Sequence, residues 1–94
     1  MPPDYHVAYI FPLDAYPDIE LVRRVATSVN ASLLINIDVV RTQRTIFAFK
    51  FPNFVEPTDK RVKDLDEFMA HYKPLKKLKM TDIDWFAAMK SLGM

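Results

Sequence analysis

Residues 44–51 read Arg-Thr-Ile-Phe-Ala-Phe-Lys-Phe, and the spacing of their three phenylalanines restricts the fold more than any other feature. Successive side chains of a β-strand point to opposite faces. Phe47, Phe49 and Phe51 therefore share one face, and Ile46, Ala48 and Lys50 share the other. Burying a phenylalanine contributes about 1.5–3 kcal/mol, and a small domain holds a net of only about 5–15 kcal/mol. Three exposed rings would forfeit much of that margin. Lys50 and Ala48 would make a poor inner face, because a buried ammonium needs a partner and alanine fills little space. The phenylalanine face is thus expected to be the floor of a core. The search for function then moves to the other face.

The remaining pattern supplies partners for that strand. Tyr5–Phe11 is aromatic and branched and reads as a first strand. Pro17 suits the first turn of a helix, with Asp18 and Glu20 at the positive end of its dipole. Ile19, Val22, Val25, Ala26 and Val29 recur at helical spacing, and Asn30 is suited to a left-handed stop. Leu33, Ile35, Ile37 and Val39 alternate with Ser32, Leu34, Asn36 and Asp38 as a second strand. Arg41–Arg44 then forms a hairpin turn that lacks the usual Asn-Gly, so its register is open.

Pro52–Pro57 reads as a loop with Phe54 and Val55 in it. A helix is predicted from about Thr58 to Tyr72, with Val62, Leu65, Phe68, Met69 and Tyr72 on one stripe. Leu75–Met80 reads either as a basic edge strand or as a linker. Asp82 to about Leu92 reads as a last helix, with Gly93 as its stop. The expected fold class is α+β in a single domain over residues 1–94. It has a three- or four-stranded antiparallel sheet, two helices on one face (βαββα) and a C-terminal helix. If Leu75–Met80 is a strand, the plan becomes ferredoxin-like.

Composition excludes several kinds of chemistry. Gly93 is the only glycine, so phosphate-cradling and dinucleotide-binding loops are ruled out; they need glycine for close backbone approach. The absence of cysteine removes disulfides, thiolate zinc sites and thiol nucleophiles. A formal charge of +1 argues against a dominant electrostatic mode of binding. No basic-then-apolar leader and no stretch of membrane-spanning length is visible, so a soluble, cytoplasmic protein is expected.

His6 and His71 have no metal-ligand neighbours at a recognisable spacing, and no metal or cofactor is expected. Asp64, Asp66 and Glu67 lie in a charged helix, and Asp82 and Asp84 in a first turn. Carboxylates so placed are ordinarily solvated or helix-stabilising, so catalysis is not expected. Asn30-Ala31-Ser32 matches a glycosylation acceptor, but Asn30 already has a helix-end role.

Two binding readings remain. Phe47-Ala48-Phe49, with Arg44 upstream, resembles the stacking strand of RNA recognition motifs, which share the βαββαβ order. The glycine expected after the basic residue is missing, and Phe51 shares the face of Phe47 and Phe49. This resemblance implies a single-stranded nucleic-acid binder that uses Tyr9, Phe47 and Phe49 with Lys73, Lys76, Lys77 and Lys79. The favoured reading is a non-enzymatic protein–protein binding module, acting as a regulator, inhibitor or assembly factor, or as a homodimer. Its expected contacts are Trp85, Met89 and Leu92 of the last helix, with Arg41, Arg44 and Lys50 at the sheet margin. Trp and Met are typical interface anchors, and a helix apolar around most of its girth must be buried or docked.

Overall fold

Seven elements follow one another as β1 (Tyr5–Pro12), α1 (Ile19–Ser28), β2 (Ser32–Asp38), β3 (Arg44–Phe51), α2 (Lys60–Ala70), β4 (Lys76–Thr81) and α3 (Asp82–Ser91). The computed structural model describes residues 5–52 and 55–91, apart from the side chains of Met80 and Asp82. Leu92, Gly93 and Phe54, named above, lie outside the described residues. The class is α+β, with one four-stranded antiparallel sheet in the order β2-β3-β1-β4. The basic segment is therefore a strand, paired to β1 with Tyr9 opposite Lys77 and Val7 opposite Lys79. A Cα radius of gyration of 12.6 Å is close to the roughly 12 Å of one compact domain this long.

Local chemistry sets the element ends. Asp18 caps α1 by accepting the N–H groups of Glu20 and Leu21, which leaves Pro17 outside the helix rather than in its first turn. Asn30 takes the left-handed conformation, φ 59°, that its position predicted. Asp59 caps α2 at Arg61. The hairpin turn comes earlier in the chain than expected, because the Asp38 carboxylate accepts the N–H groups of Val40, Arg41 and Thr42. Val39 is thus a turn residue, and Ile35 is held opposite Phe47.

The register assembles two cores. Phe47, Phe49 and Phe51 stand opposite Tyr9, Val7 and Tyr5, so all six share one face of the sheet. Val22, Ala26 and Val29 of α1 and Val62, Leu65 and Met69 of α2 pack into the same cluster. The three phenylalanines are completely buried. Phe47 meets Phe11 edge-on at 5.7 Å, and Phe49 meets Tyr9 at 5.8 Å, within the favourable range for such pairs.

The opposite face, for which Ala48 and Lys50 predicted a poor inner surface, is a second core. Ala8, Ile10, Ile46 and Ala48 are buried there beneath Trp85 and Met89 of α3. The reason is steric. Ala8 and Ala48 are cross-strand partners, and their small side chains leave a shallow bed that admits the indole ring. β4 runs into α3 without a loop, which brings the helix back over this face.

Thr45 is buried among apolar groups on the first face, and its hydroxyl has no hydrogen-bond partner among the described residues. An unmet buried hydroxyl costs about 1–3 kcal/mol. Replacing Thr45 by Val is expected to raise the unfolding free energy by about 1 kcal/mol, read from urea denaturation.

Candidate functional site

Three surfaces carry candidate functional chemistry, and each follows from how the sheet is covered. The first is the margin of α3. Trp85 stacks on His6 at 4.7 Å with an interplanar angle of 22°. Beside this stack a groove of about 220 Å³ opens between His6, Leu34, Ala48, Lys50 and Trp85. α3 lies over Ala8, Ile10, Ile46 and Ala48 but leaves Leu34 of β2 exposed. The outer side of α3 carries large apolar side chains beside Lys90, with Phe86 70% and Ile83 85% exposed.

The second surface is the β2 edge of the sheet. Leu34, Ile37, Val39 and Val40 of β2 and its turn are all exposed. A wider groove of about 450 Å³ runs between Arg23 and Thr27 of α1 and Leu33, Leu34 and Ile35 of β2. The strand carries no lysine, arginine or proline. The opposite edge, β4, carries Lys76, Lys77 and Lys79, a common device against edge-to-edge pairing.

The third is a polar cluster where α2 meets β4. The Tyr9 hydroxyl donates to Asp66 Oδ1 at 3.2 Å, and the Lys77 ammonium donates to the same oxygen. Lys77 also lies 5.7 Å from the centre of the Tyr9 ring. Burial pushes the Asp66 carboxyl up, but Lys77 and the Tyr9 hydroxyl outweigh it and hold the group below its ordinary range. The same burial lowers the Lys77 ammonium, more than Asp66 restores. Burial first, and then the Asp66 charge, raises the Tyr9 phenol, which stays protonated. A half-buried pair of this kind gains little net energy. It ties α2 to the sheet and lines neither groove.

The residues expected from sequence are distributed among these surfaces. Trp85 and Met89 are buried in the second core, so the helix turns Phe86 and Ile83 outward in their place. Their i, i+3 spacing on the side opposite Trp85 was the signal for them. Arg41 is exposed in the hairpin turn, and Arg44 stands opposite Asp38 at one end of β3. Lys50 stands opposite Ser32 at the other end, about 20 Å away at the usual strand rise. These cations do not form one patch. Tyr9, Phe47 and Phe49 lie under helices, where no base can stack on them. Lys73, Lys76 and Lys79 are exposed, whereas Lys77 is engaged by Asp66. Among the described residues, no group of three or more His, Cys, Asp or Glu side chains is placed to hold a metal ion. Among the described residues, no helix is long and apolar enough to cross a membrane.

Two outcomes test these assignments. Ala48→Leu fills the bed beneath Trp85 and is expected to destabilise the fold by about 1–3 kcal/mol. Trp85 is the only tryptophan, so the same change should red-shift its emission. Asp66 is ionised to lower pH in the folded than in the unfolded chain. The stability it contributes is complete above its ordinary value of 3.8 and is lost as pH falls below that. Asp66→Asn should therefore flatten the fall in stability between neutral pH and strong acid, measured by denaturation at a series of pH values.

Compared with family models, curated proteins and solved structures, the chain finds a match in none of them.

Proposed function

We propose that this protein is a small, non-enzymatic protein-binding module that acts as a regulator, inhibitor or assembly factor. One observation carries the reading: four large apolar side chains, Leu34, Ile37, Val39 and Val40, are exposed on one sheet edge and its turn. Val40 alone is 86% exposed. Large apolar side chains gathered at one exposed edge, on both faces of the strand, mark interaction sites on folded domains. The unguarded backbone of β2 adds the hydrogen-bonding capacity through which an extended segment joins a sheet. Phe86 and Ile83 on α3 offer a second apolar contact on the other side of the Leu34 groove.

A ferredoxin-like plan is consistent with this reading. Its support is the βαββαβ order of the first six elements and the antiparallel sheet in which β1 and β3 are central. The non-enzymatic part rests on the polar cluster being closed upon itself. Tyr9, Asp66 and Lys77 satisfy one another, away from both grooves. The nucleic-acid alternative loses its stacking rings to the first core. Only solvent-exposed lysines remain to it, spread over both faces of β4 by the strand alternation.

The test is capture from an extract of the native host, with wild type and two folded variants as bait. Ile37→Lys blunts the β2 edge, and Phe86→Lys blunts α3. A protein retained stoichiometrically by wild type and lost with Ile37→Lys is the expected result. Retention of nucleic acid instead, weakening steeply with salt, would sink the proposal.

A further inference from the structure

The two edges of this sheet are built differently. β4 is protected by alternating lysines, whereas β2, Ser-Leu-Leu-Ile-Asn-Ile-Asp, has its one charge at its very end. An edge strand that is apolar and unguarded is a template for another strand. We propose that the strand it takes is β2 of a second copy of this chain. The two copies run antiparallel in a register centred on Ile35 and join two four-stranded sheets into one of eight. This rests on the protein-binding reading above and names the partner.

The strand's own sequence argues for that occupant. An antiparallel two-fold pairing centred on Ile35 sets Ser32 opposite Asp38, Leu33 opposite Ile37, Leu34 opposite Asn36, and Ile35 opposite itself. Every apolar side chain of the helix-bearing face, Leu33, Ile35 and Ile37, then meets another apolar side chain. The carboxylates of the two copies lie at opposite ends of the pair, each facing a serine hydroxyl. Moving the centre to Asn36 would put Leu34 against Asp38. Moving it to Leu34 would leave Ile37 and Asp38 beyond the partner strand. Pairings that set odd residues against even ones would oppose the two faces of the sheet. The Ile35 register alone uses all seven residues of β2.

The surroundings of the strand fit the same arrangement. The 450 Å³ groove between Arg23, Thr27 and Leu33 lies where Ile37 of the second copy would come to rest, opposite Leu33. Ile37 is itself 44% exposed, so pairing covers it. Val39, exposed just past the end of β2, comes beside Ala31 of the second copy, another residue that lines the groove. One register thus accounts for the groove and for two exposed apolar residues, Ile37 and Val39.

The chain has no cysteine, so a single introduced thiol reports the register directly. We expect sedimentation equilibrium to give twice the 11.0 kDa chain mass. Mild oxidation should join Ile35→Cys to its copy as a covalent dimer, whereas Lys76→Cys on the opposite edge should stay monomeric. Ile37→Lys should yield a monomer with unchanged circular dichroism. Hydrogen exchange of the wild type adds a measurement that no variant can spoil: protection of the Ser32–Asp38 amides should rise with protein concentration. A wild-type monomer across a wide concentration range, with β2 exchange independent of concentration, overturns the inference. So does a dimer that cross-links at Lys76→Cys and not at Ile35→Cys. The capture experiment above decides separately whether the protein-binding reading survives such a result.

Discussion

β1 is the central constraint of this structure, because every side chain from Tyr5 to Phe11 is buried. It is paired on both edges, to β3 and to β4, and covered on both faces. A strand in that position must satisfy two packing layers at once, and the side chains divide accordingly. Tyr5, Val7, Tyr9 and Phe11 fill the deep layer under α1 and α2. His6, Ala8 and Ile10 form the shallower layer on which α3 rests. β3 repeats the division, with phenylalanines on the first face and Ile46 and Ala48 on the second. The small residues matter as much as the large ones. Close packing penalises an added methylene as well as a missing one.

Once β1 occupies the centre, the contrast between the two edges follows. β4 lies beside β1 and hands the chain on to α3, which takes the face that the first two helices leave open. Its lysines remain at the rim, and Lys77 is drawn inward by Asp66 and the Tyr9 ring. β2 lies outermost on the other side, with α1 along one flank and the α3 groove along the other. A seven-residue strand with apolar side chains on both faces and no guarding charge in its interior is costly to leave in water. That cost is the physical motive for assigning binding to this edge, and the pattern of the strand is the motive for assigning it to a second copy.

Much of this was legible in the residues. The period-2 runs at Tyr5–Phe11 and Arg44–Phe51, the helical stripes at Val22–Val29 and Val62–Met69, and the left-handed Asn30 each follow from local rules. Burial of the phenylalanines was also decidable, because three rings outweigh Ala48 and Lys50 in transfer energy. The candidate site was far less legible. Trp85 and Met89 read equally well as interface anchors and as core, since a helix apolar around its girth does not say which side faces the sheet. The structure resolves this by laying Trp85 over Ala8 and Ala48, which leaves Phe86 and Ile83 outside.

Local sequence determined which segments are strands and helices, where they are capped, and which side chains of each strand belong together. These follow from backbone periodicity and near-neighbour hydrogen bonding. Strand order was beyond its reach, because the pairing of β1 with β4 joins residues some seventy positions apart through backbone groups that every residue carries. Tertiary structure alone therefore decided that β2 is the exposed edge, that the phenylalanine strand is interior, and that the reverse face is a second core. With that order settled, the alternation of Phe47, Phe49 and Phe51 marks the base of one core. The exposed side chains of Leu34, Ile37 and Val39 mark the edge at which the sheet can be extended.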